Sequence, residues 1–198
     1  MPSPRVHLFV DYQNVHLTAH EQFGTPGTQP YLSLIHPGRL ADAIDAERAV
    51  HNKVGMISRI YVFRGFPSPG REPNSYKRNQ AQSSEWQRDR RVVMYSRSLK
   101  YPSDWPNTKA REKGVDVMLA TRFVYEAASN AADVLILASR DTDLAPAVEL
   151  ASQIPNAPEV EIFNWTGRGR FHCSLPTQPW CTFLDRTGFL LSIDPRQY

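Results

Sequence analysis

RVHLFVDYQN, residues 5–14, is the stretch on which the fold turns. Arg5–Val10 is a short run of Val, Leu and Phe that reads as a buried strand, and Asp11 follows it directly. A buried strand that ends in acid and passes at once into a polar turn suits the carboxyl edge of an open α/β sheet, where ligands bind. The pattern returns in DVLILASRDTD, residues 133–143, where the strand Asp133–Ala138 leads to Asp141 and Asp143. Three further apolar runs, Arg59–Phe63, Val92–Ser96 and Val160–Asn164, complete five predicted strands. Helical periodicity falls between them, over Arg39–Val50, Tyr76–Asp89, Val115–Asn130 and Leu144–Ser152. The last has Asp143 as a plausible N-cap and Pro146 in its first turn. Alternating strands and helices predict an α/β fold with a mainly parallel sheet.

The 198 residues, 41% hydrophobic and 22% charged, suffice for one domain with its own core, and exclude collagen, long coiled coil and general disorder. Prolines cluster between the predicted elements (Pro67, Pro69 and Pro73; Pro102 and Pro106; Pro176 and Pro179) and punctuate loops. With no repeat or dividing linker, residues 1–198 are expected to be one domain, with 165–198 a C-terminal extension packed on it. PWCTFLDRTGFLL near the end is apolar enough to pack a last helix. Cys173 and Cys181 make neither a disulfide framework nor a zinc site. The chain opens without a charged-then-apolar leader and has no apolar run near the roughly 20 residues that span a bilayer, so a cytoplasmic protein without a membrane partner is expected.

Asp11, Asp141 and Asp143 each admit a simpler role as a turn or helix cap. Asp116 is harder to set aside. At roughly 100° per residue it falls on the apolar face with Ala120, Phe123 and Ala127, opposite Arg122, Tyr125, Glu126 and Ser129. Its place in the first turn suits the helix dipole but does not explain that direction. Gathering Asp11, Asp116, Asp141 and Asp143 would crowd like charges, a conflict that a divalent cation removes. Carboxylates without clustered Cys or His favour Mg2+ or Mn2+ over zinc. Such a site activates water and polarises a phosphoryl oxygen, which matches phosphodiester hydrolysis.

DYQN at the first strand, EKGVDVMLA at a helix start and SRDTDLAPAV at a late strand end, in that order over roughly residues 5–164, resemble the NYN domain family, including its LabA-like branch, within the PIN-like nuclease superfamily. The resemblance implies a Rossmann-like three-layer α/β/α sandwich and a metal-dependent ribonuclease. By matching positions, Asp11, Asp116, Asp141 and Asp143 would be its metal-binding and catalytic carboxylates, with Asn14 orienting the site or binding phosphate. Water would attack phosphorus in line without use of the ribose 2'-hydroxyl. Arg140 stands where such motifs commonly carry a small residue, so it either blocks the site or reaches a substrate phosphate.

The formal charge of +3 is too small to announce a nucleic-acid partner, but its distribution is uneven. From Arg71 to Lys113 there are eleven Lys and Arg against five acids, a net of +6, which leaves −3 for the remainder. Tyr76, Trp86, Tyr95, Tyr101 and Trp105 are interleaved there and could stack on bases, although Trp86 suits helix–sheet packing. Lys109, Arg111 and Lys113 fall next to Asp116, and with Lys77, Arg78 and Arg140 they are the expected substrate-binding cations. RNA is the expected partner, and a homo-oligomer or a regulatory protein partner remains open. The competing reading is an RNA- or protein-binding module of the same fold with weak or no turnover and a regulatory or toxin-like role, motivated by Arg140. A haloacid-dehalogenase-type phosphatase fails on order, because its D-x-D belongs at the first strand.

Overall fold

Strand after strand enters one sheet from the same side. The computed structural model describes residues 3–198. β1 (Val6–Asp11), β2 (Ile57–Phe66), β3 (Val92–Ser98), β4 (Val134–Ala138), β5 (Glu159–Trp165) and β6 (Trp180–Leu184) form a six-stranded sheet in the order β3-β2-β1-β4-β5-β6. Every neighbouring pair is parallel, which requires crossovers that cover both faces.

One face is covered by α1 (Tyr12–Phe23), α2 (Pro37–Val50), α3 (Pro73–Trp86) and α6 (Arg186–Ser192), through Tyr12, Val15, Leu40, Ile44, Trp86 and Phe189. The other is covered by α4 (Val115–Ala128) and α5 (Ala145–Gln153), through Leu119, Phe123, Val148 and Ala151. Strand alternation divides β1 between the layers: Val6, Leu8 and Val10 join the first cluster and Phe9 the second. The architecture is the expected Rossmann-like α/β/α sandwich. Among the described residues no helix is long and apolar enough to cross a membrane.

The five expected strands and four expected helices are present, with shifted ends. Three features depart from the sequence reading. YQNVHLTAHEQF forms α1, whose buried positions Tyr12, Val15, His16, Thr18 and Ala19 keep helical spacing although His and Thr fill two of them. WCTFL, near the end, is a sixth strand on β5, and the last helix begins only after it. Asp141, not Asp143, supplies the cap at the turn Thr142–Leu144 that leads into α5, its side chain accepting from the Asp143 N–H.

Strand order fixes the site. β2 lies on one side of β1 and β4 on the other, so the chain reverses direction across the sheet at β1. Val10 pairs with Ala138, which puts Asp11 beside Ser139 as both strands end.

Candidate active site

Two strand ends are tied together by short polar links. Asp11 Oδ1 accepts the Asn14 N–H at 3.4 Å and caps α1, while its Oδ2 accepts the Ser139 hydroxyl at 2.9 Å. The Ser139 Oγ in turn accepts the Asp141 N–H at 3.1 Å, and Asn14 Oδ1 accepts the Arg140 N–H at 3.0 Å. DYQN and SRDTD therefore hold one another in place, and each element supplies an acid to the edge.

A cavity of about 630 Å³ opens there, lined by Asp11, Asn14, Arg111, Glu112, Lys113, Asp116 and Asp141, among others. Burial pushes the Asp11 carboxyl up to about 6, against its hydrogen bonds to Ser139 and Asn14, and the charges of Glu112 and Asp141 raise it further. Burial also raises the Glu112 carboxyl, with Asp116 adding to the effect, while the Gly65 N–H and Arg64 oppose it. The cavity thus holds more negative charge than its surroundings balance. Lys113 and Arg111 are exposed at its rim.

Asp11, Asn14, Asp116 and Asp141 are brought to one cavity, with Arg111 and Lys113 of the expected cations. Asp143 is exposed and outside this lining. Lys77, Lys109 and Arg78 are exposed; Arg78 lines a second cavity adjoining the first, and Lys77 and Lys109 line neither. Arg140 contributes its backbone N–H, and its side chain is not part of the lining.

Asp116 corrects the helical-face expectation. The buried face of α4 is Val115, Leu119, Phe123, Glu126 and Ala127, and Asp116 is exposed at the cavity. The acid that α4 buries is Glu126, held by His7 Nδ1 at 2.9 Å, the Tyr61 hydroxyl at 3.0 Å and Arg122. Gly114, at φ +73°, caps α4 in a left-handed conformation that a side-chain-bearing residue adopts at a cost, and it joins the basic loop to the helix on which Asp116 is the second residue.

Two groups escaped the sequence reading. Ser139, within SRDTD, carries no signal of its own that sets it apart from a turn serine. Glu112, one of the five acids within the basic segment, accepts the Gly65 N–H at 2.5 Å, and a Cβ on Gly65 would stand 2.7 Å from its Cγ. Its spacing of four from Asp116, across a glycine, was the available signal.

The basic segment is less free than its composition implies. Arg88 pairs with Glu85, and Arg91 with Asp89 and Asp42. Trp86 is fully buried, its indole N–H donating to Asp194, and Tyr101 donates to Glu72 and meets Trp105 edge-on. These two groups serve packing in the free protein.

The donors suit a hard divalent cation in kind, being carboxylate oxygens in an over-acidic cavity. Among the described residues no three or more His, Cys, Asp or Glu side chains are gathered into a ready ligand group. A cation of the Mg2+ type, which keeps several waters and takes one or two carboxylates, does not require such a group.

The family model described as NYN domain matches residues 5–154. A search of curated proteins gave no match. Among solved structures the chain is similar to a protein of unknown function from Vibrio parahaemolyticus RIMD 2210633, at 17% identity and a TM-score of 0.49, with 81% of each chain covered.

Proposed function

The chain belongs to the NYN domain family, which implies a PIN-like nuclease, and from that premise we propose that it is a Mg2+- or Mn2+-dependent ribonuclease acting at the β1–β4 edge. The observation that carries the proposal is Asp11. It is a carboxylate at the topological switch point, partly withdrawn from water and facing the charges of Glu112 and Asp141. Residues 1–198 act in this proposal as one domain, with 165–198 completing the sheet.

Asp11 and Asp141 hold the cation in this reading, with Asp116 and Glu112 joining directly or through retained water. When bound there, the cation supplies Lewis acidity, which makes water a better nucleophile and polarises the phosphoryl oxygen. Ser139 orients Asp11 through its hydroxyl, and Asn14 keeps its Nδ2 available toward the scissile phosphate while its Oδ1 is held by Arg140 N–H. Arg111 and Lys113 at the rim draw in the polyanion and counter the charge that grows on the non-bridging oxygens. Asp143 acts through its N–H, which fixes Asp141.

Incubation with single-stranded RNA tests this directly. Cleavage is expected with Mg2+ or Mn2+, is abolished by EDTA, and falls by orders of magnitude in Asp11→Asn and Asp141→Asn. Cleavage that survives EDTA and both substitutions overturns it. The second reading, RNA binding without turnover, draws support from the lack of a preformed three-ligand group among the described residues. It predicts binding with no cleavage under any divalent ion.

A further inference from the structure

Arg64 follows the β1-paired residue Phe63 on β2, so it stands at the same sheet edge as Asp11. Its guanidinium is packed over the rings of Tyr12 and Trp86, at 4.9 and 5.4 Å from their centroids. Nη1 donates to Gln82 Oε1 at 2.9 Å, and the buried Nε has no hydrogen-bond partner. Among the described residues Arg64 makes no ion pair. Its nearest acidic influence, Glu112, is turned to the Gly65 N–H. A half-buried guanidinium held in this way, with its Nε shut off from water, has donors left over and a charge to be balanced.

The space in front of Arg64 is a cavity of about 440 Å³, which joins the acidic cavity through Gln13, Leu17, Arg111 and Glu112. Arg78 and Arg111 also line it, so three arginines border one space. Asn79, on the same wall, has a buried Oδ1 without a partner while its Nδ2 is spent on Ser75 O. Leu17, Leu34 and Leu99 make its apolar side. Fixed forked donors beside an apolar wall fit a phosphate with an attached nucleoside better than a lone carboxylate.

We propose that this second cavity is a nucleotide subsite, in which Arg64, with Arg78 and Arg111, binds a phosphate of the strand next to the one that is cut. The proposal rests on the nuclease reading for its placement along the strand, but the phosphate site itself stands on the Arg64 geometry. Arg64 is then a specificity-determining contact that fixes which phosphate enters the acidic cavity. A free nucleotide offers the same chemistry, so the test separates the two sources.

The full chain is titrated in EDTA by calorimetry with inorganic phosphate and adenosine monophosphate, and by anisotropy with a short labelled single-stranded RNA. Loss of one charge-assisted contact predicts affinities weaker by about tenfold for the nucleotide and RNA in Arg64→Met. The slope of log K against log salt should fall by about 0.7, the loss of one phosphate contact. Asn79→Asp, which adds a carboxylate to the cavity wall without touching Arg64's packing, should weaken both similarly, and it carries the test if Arg64→Met does not fold. Weakened nucleotide binding with unchanged RNA binding keeps the phosphate site and assigns it to a free nucleotide. Absence of nucleotide and phosphate binding in the wild type, with RNA affinity and salt slope unchanged in the folded variants, overturns the subsite. Cleavage by the wild type is scored separately: no cleavage with Arg64-dependent phosphate binding defeats the nuclease reading alone, and cleavage with KM and RNA affinity unchanged in both variants defeats the subsite alone.

Discussion

Asp11→Asn should stabilise the metal-free protein while it removes activity. The folded state holds the Asp11 proton more tightly than the unfolded chain does, at about 6 against 3.8. Its contribution to stability is therefore full below pH 3.8 and is lost as pH rises through about 6. Just over two units, at about 1.4 kcal/mol each, put the cost of the ionised carboxylate near 3 kcal/mol at pH 8. Asparagine removes that charge and remains a good N-cap, so the bond to the Asn14 N–H survives. It cannot accept the Ser139 hydroxyl as well, which gives back about 1 kcal/mol. The variant should be more stable by about 2 kcal/mol at pH 8 in EDTA, a gain of roughly 4–8 °C in Tm for a chain of this size. At pH 4 the gain should vanish. Mg2+ or Mn2+ should narrow it at pH 8, because a cation that binds only the wild type at a hundred times its Kd adds about 2.7 kcal/mol. Urea denaturation of both proteins, at pH 4 and 8 with EDTA or Mn2+, measures all three differences. Equal stability at pH 8 in EDTA, or a gap indifferent to pH, refutes the reasoning that Asp11 is a stressed carboxylate.

Other residues give further outcomes. Burial lowers His16 to about 4 while the ring bonds to Pro30 O, so its contribution is present above pH 6.5 and lost as pH falls toward 4. His16→Gln should flatten up to about 3 kcal/mol of pH dependence; taken as the difference between wild type and variant in denaturant midpoint at pH 7.5 and 4.5, the opposing Asp11 effect cancels, and parallel curves count against it. Glu112→Gln should reduce metal-dependent RNA cleavage at least about tenfold while far-ultraviolet circular dichroism stays native, because it weakens the site's electrostatics without moving a strand; unchanged kcat/KM refutes its place in the site. Asp143→Asn should leave cleavage within a few-fold, in contrast to Asp141→Asn, since only its backbone N–H is engaged; comparable losses would return Asp143 to the ligand set. Glu161→Ala should cost about 3 kcal/mol in urea unfolding, because Arg48, which is 1% exposed, loses its bonds to Glu161 and keeps only Asp45, at 3.4 Å, as an acidic partner beside the Gly55 and Val54 carbonyls.

Much of the fold was legible because parallel strands buried on both faces are near-continuous apolar runs. RVHLFV and DVLILA needed only that property to be found, and the acids after them followed from position. α1 escaped because His16 and Thr18 occupy buried positions, where their polar atoms hide the helical stripe from a hydropathy count. β6 escaped for a related reason: WCTFL is short and borders a second apolar run, so strand and helix merged into one. At the site, Asp11 and Asp141 were legible from strand ends, whereas Asp116 was found by an argument that misplaced it. At roughly 100° per residue Val115 and Leu119 swing the apolar face of α4 by roughly 60° toward Glu126, and centring that face on Ala120 and Ala127 instead takes Asp116 for the buried acid. Glu112 and Arg64 depend on contacts made across the sheet edge, which no spacing rule encodes.

Charge is settled differently at the two ends of the sheet. Near the amino ends of the strands, Arg5 pairs with Asp133, Arg48 with Glu161, and Glu126 with His7 and Arg122. The arginines there balance the acids, His7 adds a hydrogen bond to Glu126, and together these links stiffen the fold. At the carboxyl ends, Asp11 is withdrawn from water beside other acids, and Arg64 is half-buried with no ion pair among the described residues. Each would be eased by the other's charge, yet the fold directs them into adjoining cavities and places Glu112, tied to the Gly65 N–H, between them. Separated charges of opposite sign cost stability in the free protein and are useful only to a ligand that brings both complements. A polyanion with its cation does so: phosphate answers the guanidinium and the cation answers the carboxylates. The near-neutral total of the chain is thus compatible with a nucleic-acid partner, because what selects the ligand is the unsatisfied charge at one edge rather than the sum.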